Sequence, residues 1–211
     1  MKIKGILAVA GFAVVLSAPA QAEVIDFLTM ANGNEYGTST LTVGTNGILD
    51  ITATKGEGDG FAYLDNGDAG LGVCGAINSS NQCIDASDDN VTSNEELTFS
   101  FKQLVRIDGI WINNNHDNPY YFSAGDTVML NGQESAPEIY DAKTSYNALD
   151  IEGFFFGEVS QFTLGYNNDA NSPQFYVSKI AYTIISVPEP ATLGLLALGL
   201  FGLGAARKKR A

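Results

Sequence analysis

The sequence predicts an all-β protein, a two-sheet β-sandwich of jelly-roll type, and three observations carry that expectation. Short runs of β-branched and aromatic residues recur between clusters of Gly, Asn and Asp, the pattern of strands joined by turns. Leu97, Phe99 and Phe101 alternate with Thr98, Ser100 and Lys102, which buries one face of a strand and wets the other. No stretch of residues 23–187 keeps a 3.6-residue apolar period over helical length.

In chain order the expected strands cover 24–29, 38–43, 48–54, 61–64, 97–102, 105–113, 127–130, 153–156, 160–166 and 174–185. Each is rich in β-branched or aromatic residues and is bounded by turn formers. Two of the longer ones switch parity. Val105 and Ile107 share a face, yet Ile110 and Ile112 continue on the other parity after Asp108-Gly109; Phe175 and Val177 give way to Ile180, Tyr182 and Ile184 after Ser178-Lys179. A one-residue shift is the mark of a β-bulge, which keeps the apolar set on one core. Two strands meeting at a bend would give the same pattern. Either suits a curved sandwich better than a flat sheet. Residues 65–96, rich in Gly, Asn, Asp and Ser, read as one long irregular stretch.

The two ends differ from the middle. Lys2 and Lys4 precede an apolar stretch, residues 6–16, and Ala20-Gln21-Ala22 offers small residues to a signal peptidase. Residues 1–22 therefore read as a cleavable signal helix, since the run is short for a membrane span and stops at Ser17 and Pro19. At the other end Val187-Pro188-Glu189-Pro190 leads into an apolar run, residues 191–206, and then Arg207-Lys208-Lys209-Arg210. The run is short of the roughly 20 residues that span a bilayer, but its glycines are tolerable in a membrane helix and the cations would stay cytoplasmic. The expected organisation is a signal peptide at 1–22, a β-sandwich domain at 23–186 and a tail with a short transmembrane helix at 187–211.

That order of proline pair, apolar run and basic end resembles the sorting tail of bacterial PEP-CTERM proteins. The resemblance implies processing by an exosortase at the Pro-Glu-Pro signal and transient anchoring in the inner membrane. It further implies a Gram-negative host that makes exopolysaccharide, and a place in the cell envelope, biofilm or extracellular matrix.

Residues 23–187 hold 5 Lys/Arg against 23 Asp/Glu, a net charge of about −18. Such a surface repels DNA, RNA and anionic lipid, attracts cations and tolerates neutral or cationic glycans. Plentiful aromatics, among them Phe99, Phe101, Phe162 and Tyr182, exclude a disordered acidic chain. In an exported chain Cys74 and Cys83, flanking a polar segment, are expected to form one disulfide.

Asp65, Asp68, Asp85, Asp88, Asp89 and Glu96 lie in or beside the 65–96 stretch, with Glu95 next to them. Calcium takes six to eight oxygen ligands, so this loop is the expected metal site, although the spacing is not that of an EF-hand. The order Gly70-Leu71-Gly72-Val73-Cys74, Asp88-Asp89-Asn90, Glu95-Glu96-Leu97-Thr98-Phe99 also resembles exported PEP-CTERM β-sandwich domains. Trp111, Tyr120 and Tyr121 are the expected glycan-binding residues, with Asn and Asp of 113–118 binding hydroxyls. Strand position and apolar neighbours favour a core role for Trp111 itself, whereas Tyr120 and Tyr121 follow Pro119 in a loop.

Catalysis finds little support. His116 sits in an Asn run without a nucleophile to serve, and G-x-S-x-G, H-E-x-x-H and P-loop patterns are missing. The expectation is an exported non-enzymatic binding or structural module. A secreted polysaccharide-active enzyme is the alternative from another class. Ice binding is a further one, since this sorting tail has been linked with ice-binding proteins, but Thr38-Ser39-Thr40-Leu41-Thr42 and Thr52-Ala53-Thr54 occur without a repeat period.

Overall fold

A computed structural model describes residues 22–85, 88–113, 126–139, 147–149, 158–168, 173–185 and 199, and among them are thirteen strands, one short α-helix and a 3-10 turn at Thr45–Gly47. The chain divides into the unit Gln21–Ile185 and a second unit of Met1–Ala20 with Ser186–Ala211. In order the elements are β1 (Ala22–Asp26), α1 (Phe27–Ala31), β2 (Tyr36–Thr38), β3 (Leu41–Val43), β4 (Leu49–Lys55), β5 (Gly58–Asp65) and β6 (Gly70–Cys74). There follow β7 (Glu95–Asn113), β8 (Val128–Leu130), β9 (Gln133–Ser135), β10 (Pro137–Ile139), β11 (Asn147–Leu149), β12 (Val159–Tyr166) and β13 (Tyr176–Ile184). The all-β expectation holds.

The two strands expected at 97–102 and 105–113 are one, and the fold is built around it. The first half of β7 pairs with β4 on one side and β12 on the other; the second half pairs with β13 and, at Trp111 and Ile112, with β11. Because β13 also pairs with β6, β6 with β5 and β5 with β4, these strands close into a ring with β7. The arrangement is barrel-like. Two separate sheets were expected; a single strand serving both ends of the structure joins them into one hydrogen-bonded network instead.

The parity switches are bulges. Register against β13 skips between Val177 and Lys179, and register against β7 skips between Gly109 and Ile107. The extra residues are Ser178 and Asp108. Without them Ile110, Ile112, Ile180 and Tyr182 would point to solvent; with them all four are buried. The core they join includes Phe27, Leu49, Ile51, Leu97 and Val105, with Phe99 stacked on Phe162 at 4.6 Å between ring centroids.

Three local expectations change. Residues 24–29 are not one strand: Asp26 caps a helical turn by accepting the Thr29 amide at 3.0 Å, and α1 then buries Phe27 and Ala31. The 38–43 run is split into β2 and β3. The stretch 65–96 is not irregular throughout, because β6 lies inside it with every residue buried. Gly72 makes this possible. A Cβ there would stand 2.0 Å from the Asp89 carbonyl oxygen, so only glycine lets the 88–90 backbone cross β6. The strand expected at 153–156 and the two terminal helices lie outside the described residues.

Candidate functional site

Cys74 and Cys83 form the expected disulfide. The acids around it are distributed rather than gathered. Asp65 ends β5 and is buried, Asp68 and Asp85 are exposed in turns, and Asp89 is buried, accepting the Tyr176 hydroxyl at 2.7 Å. Asp88 accepts the Gly75 amide at 3.0 Å and pairs with Lys55. Glu96 is half-buried on β7, opposite Thr54 and Gly165. Among the described residues, the one trio of His, Cys, Asp or Glu close enough to share an ion is Cys74, Cys83 and Asp88, and both sulfurs are already in the disulfide. The geometry does not bring the six proposed ligands together.

What does converge is an ion-pair network. The Lys55 ammonium lies between Asp88 and Glu95, 3.0 Å from the latter, whose side chain is wholly buried. Glu95 also accepts the Thr92 amide at 2.9 Å. Burial raises the Glu95 pKa above its usual 4.5, outweighing Thr92 and Lys55. Burial works to lower Lys55, but its bonds to Asp88 and Glu95 outweigh that and hold it above 10.5. This network ties Asp88 and Glu95 to β4.

Trp111 is not in the core. The bulge at Asp108 puts Ile110 and Ile112 inward and Gly109 and Trp111 on the outer face of the barrel. There the indole is half-buried and lies along its own strand, so close that a Cβ on Gly109 would fall 2.3 Å from a ring carbon. Lys179, the register partner of Trp111, pairs with Asp26 at 3.0 Å. Farther along β7, Arg106 Nε donates to Asp108 at 2.7 Å, and Asp108 accepts the Thr183 hydroxyl at 2.5 Å. Tyr120 and Tyr121 lie outside the described residues.

Two further surfaces were not read from the sequence. A groove of about 440 Å³ is lined by Thr54, Glu57, Asn94, Glu96, Tyr166 and Asn168, among others. Its walls come from segments more than a hundred residues apart, so no local motif announces it. The other is a rank of threonines. Register sets Thr52 of β4, Thr98 of β7 and Thr163 of β12 abreast on the outer face, with Thr54 one step along. The sequence shows no period because the rank runs across strands, not along one.

The remaining feature is the tail. Residues 186–210 match the family described as the PEP-CTERM protein-sorting motif. The chain carries a PEP-CTERM sorting motif. The motif marks an exported protein processed at the membrane and implies exosortase-mediated processing. Val187, Pro188, Glu189 and Pro190 of the signal, and Arg207, Lys208, Lys209 and Arg210 of its basic end, all fall within the match; they lie outside the described residues. Among the described residues no helix is long and apolar enough to cross a membrane. Export agrees with the Cys74–Cys83 disulfide, which persists in oxidising compartments. No curated protein and no solved structure matches this PEP-CTERM chain.

Proposed function

We propose that this is an exosortase-sorted, non-catalytic module of the cell envelope or extracellular matrix of a Gram-negative bacterium, which binds exopolysaccharide through Trp111. The observation that carries the reading is the half-buried indole on the outer face, whose six-membered ring reaches back over Gly109. An exposed aromatic face stacks on the apolar face of a pyranose, and Lys179, the register partner of Trp111 on β13, is a polar neighbour for sugar hydroxyls. Tyr120 and Tyr121 are assigned the same role from sequence alone. Two features support the non-catalytic reading: Glu95, whose pKa is raised, is fully buried, and Lys55 and the Thr92 amide hold it in place. Calcium at the 65–96 loop is a separate proposal, and the dispersal of its acids weighs against it.

The test is co-sedimentation of residues 23–187 with the host's exopolysaccharide, in calcium and then in EDTA. Binding in both buffers that Trp111→Ala removes is the expected result. Binding that Trp111→Ala leaves intact would sink the platform, and release of soluble oligosaccharide would favour a polysaccharide-active enzyme.

One observation favours a second reading. The cross-strand rank Thr52, Thr98 and Thr163 places hydroxyls at the strand spacing of about 4.8 Å, an interval close to oxygen spacings in ice. Inhibition of ice recrystallisation by residues 23–187, lost in Thr98→Lys, would support an ice-binding face. No inhibition would dismiss it.

A further inference from the structure

Lys55 ends β4 and Glu95 begins β7, and the two are register partners. Asp88 reaches them from the loop after β6. Its Oδ2 accepts the Gly75 amide at 3.0 Å, and Gly75 follows Cys74, which the disulfide ties to Cys83. Gly75 also makes room for the lysine: a Cβ there would stand 2.8 Å from Lys55 Cδ and 2.9 Å from Asp88 Oδ2. The Lys55 side-chain nitrogen is thereby in direct contact with Asp88 Oδ1, and it lies 3.0 Å from Glu95 Oε1.

Three chemical roles meet at this point. A nitrogen nucleophile is set against a carboxyl group, the two parts of an amide. The Gly75 N–H donates to the oxygen of that carboxyl which carries negative charge in a tetrahedral intermediate. The third group, Glu95, touches the nitrogen from a wholly buried position, with its other oxygen fixed by the Thr92 amide at 2.9 Å. Burial raises the Glu95 pKa, which suits this carboxyl to hold a proton in transit. Condensation of charged groups is unfavourable in water, but fixed contact between reacting atoms is worth an effective molarity on the order of 10⁵ M or more.

We propose that Lys55 and Asp88 condense to an intramolecular isopeptide bond, with Glu95 as the proton shuttle. The pair starts as ammonium and carboxylate, because Asp88 and Glu95 hold Lys55 charged. Glu95 takes one proton from the ammonium and passes it to Asp88 Oδ1. The freed lone pair attacks Asp88 Cγ and forms the C–N bond, with the negative charge on Oδ2 against the Gly75 N–H. A second proton follows the same route from the nitrogen to Oδ1, the Cγ–Oδ1 bond breaks and water leaves. One ammonium and one carboxylate become one amide and one water, and Glu95 ends as it began. The Lys55 side chain is 37% exposed, so the water has a way out. The reaction runs once per chain and bridges a sequence separation of 33. Unlike Cys74–Cys83, this brace is not opened by reduction.

The experiment is peptide mass spectrometry on the full chain, purified after export, reduced, alkylated and cut with a Glu-specific protease. Cleavage after Glu35, Glu57 and Glu95 separates residues 36–57, which hold Lys55, from residues 58–95, which hold Asp88. One branched peptide is expected, lighter by one water than the two together, with fragmentation placing the link at Lys55 and Asp88. Lys55→Arg and Asp88→Ala should give the two peptides apart. So should Glu95→Gln, with circular dichroism showing that its β-fold is kept. Separate peptides from the parent chain overturn the proposal whether or not any variant folds, and a link at another residue overturns it too. Full linkage in Glu95→Gln overturns Glu95 as the shuttle.

Discussion

Trp111 covers Gly109, two residues earlier on its own strand and on the same face, because the bulge at Asp108 turns both outward. The pair forms a shelf: glycine lets the indole lie against the backbone, and any larger residue at 109 lifts it. Gly109→Ala should therefore weaken exopolysaccharide co-sedimentation while the barrel stays folded, with a red shift of the single tryptophan's emission as the independent sign. Trp111→Ala should abolish binding and cost about 1–2 kcal/mol in urea unfolding, below the 3–5 typical of a core aromatic.

Reduction of Cys74–Cys83 opens a loop with a sequence separation of 9. Loop-closure entropy for so short a ring is about 2–3 kcal/mol. Urea melts of the Cys74→Ser, Cys83→Ser double variant should show that loss, with the all-β circular dichroism spectrum retained at low denaturant.

In the ion-paired state Lys55 joins two segments by its charge. Lys55→Met leaves the buried Glu95 without its counter-charge and should cost up to about 3 kcal/mol at pH 7, the low end for a broken buried pair, since Lys55 keeps one side in water. The pH dependence separates the partners. Glu95 has its folded pKa raised above 4.5, so its contribution is fully present below that value and is lost as pH rises through the folded pKa. Lys55 is raised above 10.5, and its contribution is lost only as pH climbs beyond that. Glu95→Gln should flatten the decline in stability above pH 4.5 relative to the parent chain, measured by melts across pH 4 to 8.

Tyr176 and Asp89 are 87 residues apart and share a buried 2.7 Å hydrogen bond. Tyr176→Phe removes one donor from a carboxylate already out of water and should cost about 1–3 kcal/mol. Amide exchange should quicken in residues 88–91 ahead of β7, since this bond ties that segment to β13.

Much of the fold was legible. The bulges at Asp108 and Ser178 could be read because alternation has a period of two and one extra residue inverts it visibly. β6 could not: two glycines in five residues imitate a loop, and the reason for Gly72 is a backbone crossing from residues 88–90 that no local pattern encodes. The 24–29 run failed for a related reason. Its apolar residues suit a strand, and only the side-chain bond from Asp26 shows where the strand gives way to a helical turn.

The sequence by itself determined that this protein is exported and processed at the membrane, and that its fold is mostly β-strand. Both are linear properties: a proline pair, an apolar run and a basic cluster act in order along the chain, and strand alternation is local. Tertiary structure decided which side chains meet. It dispersed acids that look like a metal site, because Lys55 and Tyr176 each claim one of them. It moved Trp111 from an expected core position to the surface, ranked threonines from three strands, and set Ala22 beside Thr183. Those outcomes depend on pairing register between distant strands, which the ring closure through β7 fixes and no single segment carries.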